Sequence, residues 1–89
     1  MSKTELIQSV VSKTGISQSD VKEVVEATFD SIINSLARGE KVSVTGFGAF
    51  EVVEKAEKAF FNPSIGDVDI SPAHNVVKFR PFSQLKKIV

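Results

Sequence analysis

The single histidine, His74, follows Pro72-Ala73 and stands shortly after Asp67 and Asp69. An imidazole and two carboxylates have the right chemistry to ligate a metal ion. Asp67 and Asp69 flank a turn, however, while His74 sits near the base of the return strand, where an exposed histidine is the ordinary case, and no metal site is expected. Glu51, Glu54 and Glu57 run along an alternating segment. General acid–base work needs a positioned partner of matched pKa, and the sequence offers these carboxylates none. There is no cysteine, which excludes a disulfide framework, a thiolate nucleophile and a zinc finger. Gly46-Phe47-Gly48 lacks the Lys-Ser/Thr of a phosphate loop. It reads as a strand-to-strand turn, with close backbone approach to a phosphate at Gly46 and Gly48 as the second reading. No catalytic residue, cofactor or small-molecule substrate is expected.

The remaining chemistry is that of grip. Asn62-Pro63 is turn chemistry on its face. Proline is also rigid, apolar and free of an N–H, which suits a wedge between stacked bases. On the residues alone the turn reading is the stronger. Lys3, Lys41, Lys78, Arg80 and Lys86 are placed to meet phosphates, the alternative being ordinary solvated cations. The charge balance is unusual for such a partner, since eleven basic residues meet eleven acidic ones and phosphate neutralisation normally drives affinity. Distribution matters more than the total. Residues 72–89 hold Lys78, Arg80, Lys86 and Lys87 and no acid, whereas residues 51–71 hold Lys55 and Lys58 against five acids.

These groups must be positioned by simple elements. Ser2 with Glu5 three residues later reads as a capping box, and Leu6, Ile7, Val10 and Val11 recur at helical spacing. Gly15 is a natural stop, so the first helix covers about residues 3–14. Ser17 and Asp20 open a second helix whose stripe is Val21, Val24, Val25, Phe29, Ile32, Ile33 and Leu36, ending at Gly39. Val42 and Val44 alternate into a short strand. Phe50 and Val52 then share one face, with Glu51, Val53 and Lys55 on the other. The chain reaches Asn62-Pro63, turns near Gly66 and returns with Val77 and Phe79 on the core face and Lys78 and Arg80 opposite. Pro81 stops the strand, and Ser83 caps a last helix from Gln84 to about Ile88, with Leu85 and Ile88 facing in.

The fold class is therefore α+β: a two-helix hairpin, a three-stranded antiparallel sheet with a protruding β-ribbon arm, and a short C-terminal helix. One domain spans 1–89, with a helical part at 1–39 and the sheet, arm and last helix at 40–89. A chain this short buries a modest core, and the broad stripe of the second helix favours a dimer with a shared core. No apolar run approaches the roughly 18 residues of a membrane span. Met1-Ser2-Lys3-Thr4-Glu5 lacks a signal peptide's apolar core.

Gly46-Phe47-Gly48-Ala49-Phe50, then Asn62-Pro63, then Phe79-Arg80-Pro81 with Leu85-Lys86, is an ordered set. It resembles the bacterial histone-like HU/integration host factor family over essentially all 89 residues. The resemblance implies an intertwined two-fold homodimer with helices below, sheets forming a saddle, and two arms reaching around double-stranded DNA. It implies a nucleoid-associated, cytoplasmic protein that bends DNA through the minor groove and prefers distorted duplexes. It gives Pro63 the role of the intercalating proline. The contact set then comprises Lys3, Lys41, Gly46, Gly48, Lys55, Lys58, Phe60, Phe61, Asn62, Pro63, His74, Lys78, Arg80 and Lys86.

The departures lie in the arm. The family carries a row of arginines on the outgoing strand. Here Lys55 and Lys58 keep charge, Val53 does not, and Ala59-Phe60-Phe61 replaces a basic-Gly-Arg run. Glu57 adds an acid that strict alternation puts beside Val53 and Lys55. Val68 and Ile70 occupy polar slots of the ungapped register, and Asp69 and Ser71 apolar ones. A one-residue shift with a bulge near Ser71-Pro72 restores the alternation. Phe60 and Phe61 have three readings: stacking on DNA, a protein-contact patch, or packing across the ribbon on Ile65, Val68 or Ile70, the last being preferred. The alternative function is a relative with weakened DNA affinity that acts through protein contacts of this Phe-rich arm.

Overall fold

The computed structural model describes residues 1–89. Packing divides the chain into two compact units, Met1–Asn34 and Ser35–Val89.

In the first unit, α1 (Lys3–Thr14) begins where the Ser2 hydroxyl accepts the Glu5 N–H at 3.2 Å. It ends where Gly15, at φ 71°, donates its N–H to the Val11 carbonyl. Only glycine takes that left-handed cap without a Cβ penalty. α2 (Gln18–Ala37) is opened in the same way, with the Ser17 hydroxyl accepting from the Asp20 N–H at 3.3 Å. Ile7 and Val21 are buried, while Val24, Phe29 and Ile33 of the α2 stripe stay exposed in the single chain. A hollow of about 380 Å³ beside Met1, Leu6 and Phe29 continues that apolar surface. No helix is long and apolar enough to cross a membrane.

The second unit holds β1 (Val42–Val44), β2 (Gly48–Lys55), β3 (Lys58–Asn62), β4 (Asp67–Ser71), β5 (His74–Pro81) and α3 (Ser83–Lys86). The strands form an antiparallel sheet in the order β1-β2-β5 and a separate β3-β4 ribbon. The ribbon is the expected arm, but it is not continuous with its base. The ladder stops at Lys55↔His74 and resumes at Lys58↔Ser71. Pro72 lies in the gap, and a proline has no N–H to give a ladder.

The register corrects two expectations. Two residues intervene on each strand, 56–57 and 72–73, so the pairing continues without a slip. The one-residue shift and the bulge near Ser71-Pro72 do not occur. Val68 and Ile70 therefore keep their unexpected side of the ribbon rather than exchanging it with Asp69 and Ser71. Glu57 falls in the interruption and belongs to no strand.

The C-terminal segment differs too. Ser83 is the first residue of α3 rather than its cap, the cap position being Phe82 with no side-chain hydrogen bond. Leu85 is half-buried as expected, but the helix ends before Ile88, which is 80% exposed. Four residues are too few to carry an inward side chain one turn further on.

Candidate nucleic-acid interface

The β2-β5 ladder sorts its side chains into two sides. Phe50 pairs with Phe79 and Val52 with Val77 on one of them. The Phe79 ring meets Phe47 and Phe50 edge-on, with centroids 5.1 and 5.0 Å away, a favourable aromatic geometry. Val77 and Phe79 share the Phe50 side as expected, yet both remain exposed in the single chain. The opposite side carries Ala49 and Arg80, Glu51 and Lys78, Val53 and Val76, and Lys55 and His74 as cross-strand pairs.

The two turn glycines separate in role. Gly46 is exposed at φ 81°, and an added Cβ there would meet nothing. It serves the backbone conformation of the turn. Gly48 is buried, pairs with Val44 and Pro81, and would place a Cβ 2.6 Å from the Arg80 carbonyl oxygen and from the Phe79 ring. It is required by close packing. Its burial removes it from the surfaces a phosphate can reach, which corrects its inclusion among the contact residues.

Arg80 and Lys78 project from one side of the sheet, but Arg80 is not free. Its Nε donates to Glu51 Oε1 at 2.8 Å, and Glu51 is the more buried partner. Lys78 stands directly across from the same Glu51. Lys55 is exposed opposite His74, whose Nδ1 lies 2.9 Å from the Pro72 carbonyl oxygen. His74 is therefore held at the base of the arm, while Asp67 lies at the far end of β4 beside the tip. Lys41, just before β1, and Lys86, the last residue of α3, are exposed. In the first unit, Lys3 Nζ lies 3.4 Å from Glu26 Oε1, both partners being solvated. Such exposed pairs are weak and screened by salt.

The arm tip is built by Asn62. Its carbonyl accepts from the N–H of Gly66 at 2.9 Å, and its Oδ1 accepts from the Ser64 N–H at 3.0 Å. Its Nδ2 crosses the ribbon to Asp69 Oδ2 at 3.1 Å. Gly66 closes the loop at φ 68°. The turn reading of Asn62 therefore holds in detail, and it leaves Pro63 exposed at the apex. The Ile70 N–H and then the Asn62 amide both stabilise the Asp69 carboxylate and hold its pKa below the ordinary 3.8.

The two phenylalanines part company. Phe61 lies across from Val68 and on the side of Ile70, so it fits the cross-ribbon reading. Phe60 lies on the other side, across from Asp69, and cannot share that packing. Both, with Lys58 on β3, remain exposed.

Comparison with known proteins follows the same outline. The family model described as bacterial DNA-binding protein matches residues 1–89. The chain belongs to that family. It is 44% identical over 89 residues to DNA-binding protein HU of Geobacillus stearothermophilus, covering 100% of this chain and 99% of that protein. It is also 44% identical over 87 residues to the integration host factor alpha subunit of Anaeromyxobacter sp. (strain Fw109-5), covering 97% of this chain and 87% of that protein. Among solved structures, an Anabaena HU–DNA cocrystal superimposes with TM-score 0.93 at 28% identity, over 99% of this chain and 96% of the other. HU from Thermotoga maritima gives 0.71 at 34% identity, over 99% and 97%.

The sequence reading missed the carboxylates that engage its candidate cations. Glu51 was visible as a strand residue, but its diagonal relation to Arg80 exists only once β2 and β5 are in register. Glu26 lies on a different helix from Lys3. The link from Asn62 to Asp69 likewise depends on the ungapped pairing of the arm.

Proposed function

We propose that this chain is an architectural DNA-binding protein. It grips duplex DNA through the minor groove with little base-specific readout, bends or constrains it, and contributes to nucleoid compaction in the cytoplasm. The observation that carries this reading is the arm itself. A two-stranded ribbon with Pro63 at its apex extends from a sheet that presents Lys55, His74, Lys78 and Arg80 on one side. The relative solved with DNA has the same fold along its length.

The mechanism follows from these parts. Lys78, Arg80, Lys55 and the exposed Lys41 and Lys86 meet phosphates and fix the protein on the backbone without reading sequence. Pro63 is an apolar, rigid wedge with no N–H to leave unsatisfied. Inserted at a base step it unstacks and kinks the duplex, an energy cost recovered by wrapping more protein surface. Gly46 shapes the turn at the root of β2, and Asn62 locks the loop that carries the wedge. The working unit is a homodimer. A lone chain leaves Val24, Phe29, Ile33, Phe47 and Phe79 exposed, and a second copy covers such surfaces at the least cost for a small domain.

Bending is the property to measure. A short duplex labelled at both ends and bound by the full chain shortens its end-to-end distance in energy-transfer measurements. Pro63→Ala reduces the bend more than the affinity. A bound duplex that stays straight contradicts the architectural reading, and a Pro63→Ala protein with unaltered bending removes the wedge role.

A further inference from the structure

The arm is poor in the cations a phosphate-tracking ribbon needs, and its two sides are chemically unlike. One side pairs Lys58 with Ser71, Phe60 with Asp69 and Asn62 with Asp67. Both carboxylates of the arm strands lie there. The other side pairs Ala59 with Ile70 and Phe61 with Val68. Within the two strands it holds no charged and no hydrogen-bonding side chain, and the nearest acid on this side is Glu57, ahead of β3 at the root of the arm. It is open to solvent, with Phe61 65%, Val68 60% and Ile70 58% exposed.

The register says which way this apolar side looks. Two residues intervene on each strand between Lys55↔His74 and Lys58↔Ser71, and an even number preserves the alternation of a pleated ladder. The apolar side of the arm therefore continues the side of the sheet that carries Lys55, His74, Lys78 and Arg80. The acidic side continues that of Phe50 and Phe79.

We propose that the apolar side is the groove-facing surface of the arm. Phe61, Val68, Ile70 and Ala59 grip the duplex by hydrophobic and van der Waals contact with the deoxyribose walls of the minor groove, where ion pairs to phosphate would otherwise act. The proposal rests on the DNA-binding reading above. Two observations select DNA as the occupant. The apolar side keeps the register of the cationic side of the sheet across the break, and turning the ribbon over would set two carboxylates, Asp67 and Asp69, against phosphates in place of Glu57 alone. This part of the binding releases no counterions, so it does not weaken with salt as phosphate contacts do.

The test uses the full chain, a nicked duplex and a salt series. Phe61→Thr with Val68→Thr removes the apolar surface but keeps β-propensity. Its affinity is expected to fall about tenfold at every salt concentration, with an unchanged salt slope. The assignment turns Phe60, across from Asp69, away from the groove and so takes it out of the expected contact set; Phe60→Thr, the same kind of change on the acidic side, is expected to stay within about twofold of the unmodified chain. Ala59→Lys, which adds a cation to the groove side without removing a large residue, steepens the slope by about 0.9. An unchanged affinity in the double variant, an equal loss in Phe60→Thr, or an unaltered slope in Ala59→Lys overturns the assignment. So does a double variant that keeps DNA affinity but loses association between dimers in sedimentation, which makes the surface a protein contact. An unmodified chain that binds no DNA at low salt overturns the functional reading itself, and this assignment with it.

Discussion

Arg80 shows how one neighbour changes what a residue does. As a lone cation on the sheet it is a phosphate contact. With Glu51 at 2.8 Å it must leave a carboxylate before it serves a phosphate. With the Arg80 side chain solvated the pair is screened by water and is worth about 0–1 kcal/mol. Glu51→Gln therefore tightens DNA binding by up to about fivefold, read as a dissociation constant by fluorescence anisotropy at fixed salt. Gly48 acts through space rather than charge. A Cβ there meets backbone oxygen and an aromatic ring at 2.6 Å, and the backbone oxygen is not the flexible end of a side chain. Gly48→Ala is expected to lower unfolding stability by about 1–3 kcal/mol, measured by denaturant titration.

At the scale of elements, the arm holds itself together by short-range devices at its tip. Asn62 serves the turn through Ser64 and Gly66 and the ribbon through Asp69. The lowered Asp69 pKa gives the pH dependence its sign. A carboxylate held below its unfolded value favours the folded arm while it is ionised. That contribution is fully present above the ordinary 3.8 and is lost as the pH falls through the lowered value. Protection of the 62–70 amides, taken against the intrinsic exchange rate at each pH, is expected to hold at mildly acidic pH and to fall below that point, and Asn62→Ala to lower it already at neutral pH. Both helix starts, the Gly15 stop of α1 and the three-stranded sheet were legible in the sequence because caps, periodicity and alternation act over a few residues. The break in the ribbon, the opposite sides taken by Phe60 and Phe61, and the end of α3 before Ile88 were not. They depend on pairing between distant segments or on a helix too short for periodicity to mark. The alternation in β4 even misled, because its apolar residues serve an exposed side.

For the whole molecule, charge placement matters more than the net balance of zero. Acids gather on one side of the arm, cations on one side of the sheet, and apolar surface on the helices and around Phe79. A chain that buries only Ile7, Val21 and Ala49 among its hydrophobic residues is expected to owe its stability to a partner copy. The thermal midpoint then rises with protein concentration, as mass action requires of a folded dimer, and a concentration-independent midpoint contradicts the shared core. The central claim, that this chain binds distorted DNA through a modest number of phosphate contacts and an apolar arm, is tested most directly by a salt titration of its affinity for intact and nicked duplexes. Tighter binding to the nicked duplex is predicted, with a negative slope shallower by about 0.9 for each phosphate contact missing relative to an arginine-rich relative. Absence of binding to either duplex at low salt contradicts it.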